Sequence, residues 1–256
     1  MPQEKGDRFT GKTSDYSRHR PSYPNEIIEV LVREKAIRPG SIIADIGSGT
    51  GKLAQLFLEN GYVVKCIEPN AEMRAQAAKD LQDYHQKAIL EGTAESTGLE
   101  DHSVDLVTAG QAFHWFNPEA SAREFARILK KGGMVALAWN DRVEGKGDFN
   151  SGYEQVCRTY SHGYHRSGSQ SLDRNAIDRF FGGEIREYTI ENNQSLDLEG
   201  IKGRYFSSSY SLGPGDSRYG EAIKALENAF SSHSRNGFVT IKYETKLFLG
   251  IPFKAH

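Results

Sequence analysis

The sequence contains little cysteine and no long hydrophobic run. Its two cysteines are Cys66 and Cys157, and no spacing of cysteine or histidine fits a disulfide framework or a zinc site. The first 24 residues are polar and lack the apolar segment of a signal peptide, and no stretch reaches the length of a membrane span. We therefore expect no metal site, no membrane partner and a cytoplasmic location.

The chain also lacks an excess of basic residues. It has 32 Lys and Arg residues against 34 Asp and Glu residues, which gives a formal net charge of −2. Because neutralising backbone phosphates requires a basic surface, this balance disfavours nucleic acid as a partner. A length of 256 residues allows one α/β domain with an elaboration. Nothing in the sequence indicates the oligomeric state.

Three alternating glycines occur in the segment IIADIGSGTGKLAQLF, residues 42–57. A β-branched run precedes them and apolar residues at helical spacing follow, which predicts a strand, a glycine turn and a helix. Such a turn lets a ligand approach the backbone beside the N–H groups of a helix N-terminus. The phosphate loop G-x-x-x-x-G-K-[ST] fails at two positions here, and the dinucleotide pattern G-x-G-x-x-G fails at Lys52. What remains is D-x-G-x-G-x-G from Asp45, with Glu68 following at a distance that suits ribose hydroxyls.

The stretch DIGSGTG is similar to the glycine turn of class I S-adenosylmethionine-dependent methyltransferases. EGTAESTGLEDHSVDLVTAGQAFHWF and ARILKKGGMVALAW match the regions around the fourth and fifth strands of that family. The N-terminal FTGKTSDYSRHRPSYP resembles a small-molecule subgroup that includes trans-aconitate methyltransferase. This resemblance covers residues 9–140. It implies S-adenosylmethionine as cofactor, S-adenosylhomocysteine as product and a small-molecule acceptor, with a carboxylate as one candidate.

Helix and strand patterns alternate from about residue 25 to residue 140, which predicts βα units and a parallel sheet. The resemblance implies the α/β class and a doubly wound, mostly parallel seven-stranded sheet of the Rossmann-like methyltransferase type, with an antiparallel last strand and a helical cap. We expect strands near 41–46, 62–67, 87–91, 104–109 and 133–139, and helices near 51–60, 71–82, 119–130 and 151–162.

The remaining elements and the domain organisation follow from the same patterns. Gly132 and Gly133 have the composition of a helix stop. EIREYTIENNQSLDL and GFVTIKYETKLFLGIPF predict the last two strands, and SRYGEAIKALENAFSSH predicts a helix between them. Within a single domain, we assign residues 1–24 to an N-terminal cap segment and 25–140 to the cofactor-binding core. Residues 141–256 are assigned to a cap or substrate region together with the last two strands.

The resemblance assigns cofactor contacts to individual residues. Asp45 would receive the ammonium and Glu68 the two ribose hydroxyls, whereas Thr93 departs from the acidic residue that the family commonly places near adenine. Tyr16 would face the sulfonium, because a cation is attracted to a π-face, and Arg20 would clamp the carboxylate. The predicted cofactor set is Tyr16, Arg20, Asp45, Gly47, Ser48, Gly49, Gly51, Glu68, Pro69, Thr93, Ala94, Glu95, Gly110 and Gln111.

The stretch FHWF, residues 113–116, follows the fourth predicted strand, at the edge where open α/β sheets bind ligands. Core packing is the alternative interpretation of this aromatic stretch. His114 is the candidate general base, which a hydroxyl acceptor needs and a carboxylate acceptor does not. Trp115 is the candidate packing wall beside it.

The segment GRYFSSSYSLG, residues 203–213, offers a polar and aromatic face that suits a pocket. We predict substrate contacts from Tyr205 and Ser208 in this segment, with an exposed helix end as the alternative. Because Arg20 is assigned to the cofactor, an acidic substrate would need a second cation such as Arg142 or Arg204.

Three other functions stay open from the sequence. A methyltransferase acting on RNA or protein is disfavoured by the net charge. A nucleotide-cofactor oxidoreductase is disfavoured by Lys52, which occupies the position of the third glycine. A non-catalytic module that binds the cofactor as a sensor would use the same residues as an enzyme.

Overall fold

The computed structural model describes residues 19–143, 145–162, 164, 173–208 and 210–253. The strands are β1 (Ile42–Ile46), β2 (Val63–Ile67), β3 (Lys87–Leu90), β4 (Val104–Gly110), β5 (Leu129–Arg142), β6 (Arg186–Leu196) and β7 (Val239–Gly250). The helices are α1 (Glu26–Arg33), α2 (Lys52–Glu59), α3 (Ala71–Asp80), α4 (Pro118–Ile128), α5 (Phe149–Thr159), α6 (Arg174–Phe181), α7 (Leu198–Phe206) and α8 (Tyr219–His233), with a 3₁₀ turn at Phe113–Trp115. Across the described ranges, no helix has both the length and the apolar character needed to cross a bilayer.

The seven strands form one sheet in the order β3-β2-β1-β4-β5-β7-β6. Neighbouring strands from β3 to β5 pair in parallel, whereas β7 is antiparallel to both β5 and β6. The predicted α/β class, the mostly parallel seven-stranded sheet and its antiparallel final pair are confirmed. Since the strand order reverses between β1 and β4, ligands are expected at the carboxyl ends of these two strands.

Apolar side chains cover both faces of the central strands. Ile43, Ala44 and Ile46 of β1 are all 0% exposed, as expected for a parallel strand that helices bury on both faces. One core cluster packs α1 and α2 against the sheet, and a second packs α4 and α6 against the opposite face. The two layers fix the sheet edge at which β1 and β4 end.

A third apolar cluster lies beyond the parallel part of the sheet. It joins α5, α7 and α8 to the first half of β7, with Tyr153, Ile201, Leu226 and Ile241 all 0% exposed. These elements fall within the region predicted as the cap, 141–256. The division of the chain into core and cap stays a prediction.

The glycine pair at Gly132 and Gly133 does not end a helix, so that prediction is wrong. Helix α4 ends at Ile128, ahead of both glycines, and β5 begins at once. The glycines lie where the pairing of β4 with β5 shifts register, between Val104 and Leu106. Gly132 has φ 83°, and the extra residues of β5 make an irregularity of the β-bulge kind.

We predict that Gly133→Ala destabilises the fold at this bulge. A Cβ there would lie 2.8 Å from the Asp105 carbonyl oxygen and 3.1 Å from the Lys130 carbonyl oxygen, neither of which moves easily. The expected loss is about 1–3 kcal/mol in the free energy of unfolding, measured by urea denaturation. Gly213→Ala is the control, because its Cβ meets nothing within 4 Å. Equal midpoints for the two variants would contradict the packing argument.

Candidate active site

The turn between β1 and α2 is built on glycines in left-handed conformations. Gly47, Gly49 and Gly51 have φ values of 64°, 56° and 84°, which disfavour other residues. A Cβ on Gly47 would lie 2.8 Å from the Cβ of Ala112, so that glycine allows a close approach of two segments. A Cβ on Gly49 would meet no protein atom within 4 Å. Gly49 therefore borders open space at the end of β1.

Glu68, which follows β2, holds this turn in place. Its Oε2 accepts a hydrogen bond from the Gly49 N–H at 2.9 Å, and its Oε1 accepts one from the Asn70 N–H at 2.9 Å. The side chain is buried, and burial raises the pKa of its carboxyl. Each oxygen of a carboxylate can accept a further hydrogen bond. The sequence predicted Glu68 as an acceptor for ribose hydroxyls, and it did not predict that Glu68 holds the glycine turn.

A cavity of about 60 Å³ lies at the carboxyl ends of β1 and β4, and we call it the turn cavity. Its lining residues are Arg20, Pro21, Tyr23, Asp45, Gly47, Ser48, Gly49, Thr50, Lys52, Leu53, Gly110, Gln111 and Asn140. Half of the predicted cofactor set is thereby brought together in one place. Tyr16, from the same set, lies outside the described residues.

Three buried polar atoms in the lining of the turn cavity lack a hydrogen-bond partner within the described part of the chain. They are Asp45 Oδ2, Ser48 Oγ and Thr50 Oγ1. The other oxygen of Asp45, Oδ1, accepts from the Thr108 hydroxyl at 3.0 Å. Leaving such groups unsatisfied costs about 1–3 kcal/mol each. The arrangement therefore favours a ligand that brings hydrogen-bond donors to Asp45.

The environment of Asp45 controls its charge. The side chain is 0% exposed, and burial raises the pKa of its carboxyl to about 7, although the Thr108 hydrogen bond opposes the change. A cationic donor beside Asp45 would favour the ionised form and lower this pKa. The geometry and the charge of this carboxyl both suit an ammonium ligand.

Other predicted cofactor residues lie away from the turn cavity. Thr93 is exposed and accepts a hydrogen bond from the Ser96 N–H at 3.2 Å, while Ala94 is buried. The Glu95 carboxylate accepts from the N–H of Asn117, the N-cap of α4, at 2.8 Å. The remaining residues outside the lining are Gly51, Glu68 and Pro69. The adenine role of residues 93–95 stays a prediction.

The aromatic stretch after β4 divides between core and surface. Phe113 is buried and packs edge-on against Trp139 and Phe180, with ring centroids 6.5 and 5.0 Å away. His114 is exposed on one side, and its ring lies 4.9 Å from that of Trp115. Partial desolvation lowers the pKa of His114. His114 and Trp115 do not line the turn cavity, and their substrate roles stay predictions.

A second cavity, of about 20 Å³, adjoins the first, and we call it the arginine cavity. Arg20, Gln111 and Asn140 line both cavities. The other residues that line the arginine cavity are Arg142, Arg204, Tyr210 and Tyr243. The two arginines are those named from the sequence as candidate cations, and Tyr210 belongs to the segment predicted to line a pocket, whereas Tyr243 was missed.

The predicted substrate residues Tyr205 and Ser208 lie behind the arginine cavity. Tyr205 is 0% exposed within the third core cluster, and its hydroxyl donates to the carbonyl oxygen of Tyr160. Ser208 is buried, and its hydroxyl accepts from Arg204 Nη1 at 3.4 Å. The segment is therefore not an exposed helix end. Ser208 does not line the arginine cavity itself and contacts Arg204, which does.

Gln111 stands between the two cavities in a strained conformation. Its φ is 55°, which is uncommon for a residue other than glycine. Its N–H donates to the Ala138 carbonyl at 2.8 Å, and its Nε2 donates to the Asn140 carbonyl at 3.4 Å. Backbone strain of this kind clusters at functional sites, where surrounding contacts hold it.

The segment that contains the glycine turn is similar to known methyltransferases. Residues 44–137 match the family model described as a methyltransferase domain. Uncharacterized methyltransferases of Mycobacterium tuberculosis and Schizosaccharomyces pombe are 40% and 36% identical to the chain, over 53% and 54% of each protein. The chain thus spans about half the length of the curated relatives it matches.

Solved structures share the fold over a larger part of the chain. A provisionally assigned type II methyltransferase from Anaeromyxobacter dehalogenans has a TM-score of 0.67 at 20% identity, covering 91% of this chain and 97% of that one. The YcgJ protein from Bacillus subtilis has a TM-score of 0.53 at 19% identity, covering 91% and 100%. The chain therefore shares its fold with these structures over about nine-tenths of its length.

We predict that Asp45 makes the stability of the protein fall as pH rises from about 4 to about 7. In that window the folded protein keeps a proton on Asp45 that the unfolded chain has already lost, so the unfolded state gains relative stability. The contribution is at most about 4 kcal/mol. Urea denaturation across this range should show a steeper fall for the wild type than for Asp45→Asn. Parallel curves for the two proteins would contradict the prediction.

Proposed function

We propose that this protein transfers a methyl group from S-adenosylmethionine to a small-molecule acceptor. The observation that carries the proposal is the turn cavity, which the glycine turn and three buried polar atoms without hydrogen-bond partners in the described residues line. The glycine turn lies within the segment that matches a methyltransferase domain. A nucleotide-cofactor oxidoreductase has no comparable support, because Lys52 still interrupts its glycine pattern.

The residues present fit the amino-acid part and the ribose of this cofactor. Asp45 Oδ2 is an acceptor for the ammonium, and Arg20 and Lys52 are cations in the same lining for the carboxylate. Glu68 retains acceptor capacity for the ribose hydroxyls beside Gly49. The hydroxyls of Ser48 and Thr50 can donate or accept.

The bound cofactor supplies a methyl group already activated by its sulfonium. The protein contributes orientation and a site from which water is excluded. In this proposal the turn residues hold the donor, while Gln111 and Asn140 face both the donor and the acceptor space. A small acceptor is favoured because the adjoining arginine cavity is walled by buried residues, Arg204 at 4% and Tyr243 at 2% exposure.

We propose a carboxylate as the group that receives the methyl. A carboxylate at neutral pH is already ionised and needs no general base, whereas a hydroxyl must lose a proton. His114, the candidate base, is exposed and lines neither cavity. This placement supports an acceptor that requires no proton transfer.

Gly49→Val should abolish binding of S-adenosylmethionine in a protein that still folds. The branched side chain would enter the open space beside the turn, and we expect affinity to fall roughly hundredfold or more. Gly40→Val is the matched control. Gly40 also has a left-handed conformation, with φ 84°, and a Cβ there would likewise meet nothing within 4 Å. It precedes β1 and so lies at the opposite edge of the sheet from the turn. Calorimetric titration with equal affinities for both variants would overturn the cofactor assignment.

His114→Ala should leave kcat within about threefold of wild type on a carboxylate acceptor, since no general base is lost. A hydroxyl acceptor would show a fall of about 10²–10⁴-fold. Methyl transfer to panels of small acids, phenols and amines identifies the acceptor, and the variant is then measured on it. Activity confined to RNA or protein would contradict the small-molecule proposal.

A further inference from the structure

The segment of residues 19–23, which precedes α1, contributes to the walls of both cavities. Arg20 lines the turn cavity and the arginine cavity, and Pro21 lines the turn cavity. Proline fixes its own φ and favours an extended conformation in the residue before it, so Pro21 limits the backbone of Arg20. The position of the segment as a whole depends on its contacts with the sheet and the cap.

Two amide side chains of β6 hold this segment on either side of Arg20. Gln194 Nε2 donates to the His19 carbonyl at 3.0 Å. Asn192 Nδ2 donates to the Ser22 carbonyl at 2.8 Å. Because one bonded carbonyl precedes Arg20 in the chain and the other follows it, the backbone that carries the guanidinium is fixed at both ends.

Two glycines let the same segment lie close to the core and to the cap. The His19 ring packs directly on Gly203 of α7, where a Cβ would overlap it. A Cβ on Gly110, the last residue of β4, would lie 2.5 Å from the Tyr23 hydroxyl oxygen. The segment therefore rests on α7 at one end and on β4 at the other, with Arg20 between them.

The two amides share one face of an edge strand. β6 is the last strand of the sheet, and Asn193 and Ser195, which alternate with the two amides, are exposed on its opposite face. Asparagine is uncommon in strands, so its presence here is not explained by strand formation. β6 also lies outside residues 44–137, which match the family model. Contact with the 19–23 segment gives these amides a role of their own.

We propose that Asn192 and Gln194 are positioning residues that hold the Arg20 guanidinium at the cofactor carboxylate. The inference rests on the proposed function, in which Arg20 is a cation for that carboxylate. The two amides do not line the turn cavity and act through the segment that they hold. Fixing a flexible arginine on binding costs conformational entropy, and a backbone that is held beforehand lowers this cost.

The test compares S-adenosylmethionine with decarboxylated S-adenosylmethionine, which lacks only the carboxylate, by calorimetric titration. Asn192→Leu keeps the size of the side chain and removes its amide donor. We expect this variant to bind S-adenosylmethionine roughly three- to tenfold more weakly and the decarboxylated ligand within about twofold of wild type. Lys52 stays in the lining, so the preference for the carboxylate falls and does not vanish. A residue with only a structural role would weaken both ligands equally.

The matched control is Asn193→Leu, the same change one residue along, on the exposed face of β6. This variant should bind both ligands as the wild type does. Gln194→Met is the second test variant, because it removes the donor to the His19 carbonyl and keeps the length of the side chain. It should show the same selective loss, and it decides the matter if Asn192→Leu does not fold.

Each outcome decides the proposal. Equal losses for the two ligands, or undiminished affinity for S-adenosylmethionine in both amide variants, would overturn it. A wild-type protein that binds S-adenosylmethionine no better than the decarboxylated ligand would also overturn it, since there would be no carboxylate contact to position. A wild-type protein that fails to bind S-adenosylmethionine at all would instead refute the proposed function.

Discussion

The site depends on a set of hydrogen bonds that join the glycine turn after β1 to the end of β2. The N–H groups of Gly47 and Ser48 donate to the Ile67 carbonyl at 2.8 and 3.2 Å, and the Gly49 N–H donates to Glu68. The turn is therefore fastened to β2 along its length. This fastening exposes the backbone of Gly49 to open space and keeps Asp45 buried beneath it.

A second set of contacts joins the cavities to the segment that precedes α1. Asn140 donates from Nδ2 to the Ser22 carbonyl at 3.1 Å and accepts from the Thr245 hydroxyl and from Asn192. Asn192 also donates to the Ser22 carbonyl, at 2.8 Å. Since Asn140 and Arg20 line both cavities, this network makes the common wall between them. A shared wall would bring a donor and an acceptor side by side in the proposed reaction.

The parts of this site that the sequence predicted are those encoded locally. The run from Ile42 to Phe57 contains its own strand, turn and helix signals, so its geometry follows from neighbouring residues. The pairing of Arg204 with Tyr243 does not, because it needs α7 packed on β7, elements separate in the chain. The alternation around Tyr243 did indicate one face of a strand, without saying what lies opposite. The bulge at Gly132 was missed because a glycine that ends a helix and a glycine in a β-bulge occur in similar local sequences.

The two cavities differ in the sign of the charge that their buried groups leave unbalanced. Within the described residues, Asp45 Oδ2 presents an acceptor without a donor to the turn cavity, and Arg204 has neutral hydrogen-bond partners at the arginine cavity. The Asp45 end of the turn cavity therefore favours a cationic donor, and the Arg204 side of the arginine cavity favours an anionic acceptor. Arg20 lines both spaces, and the donors of one guanidinium are numerous enough to serve a carboxylate on either side.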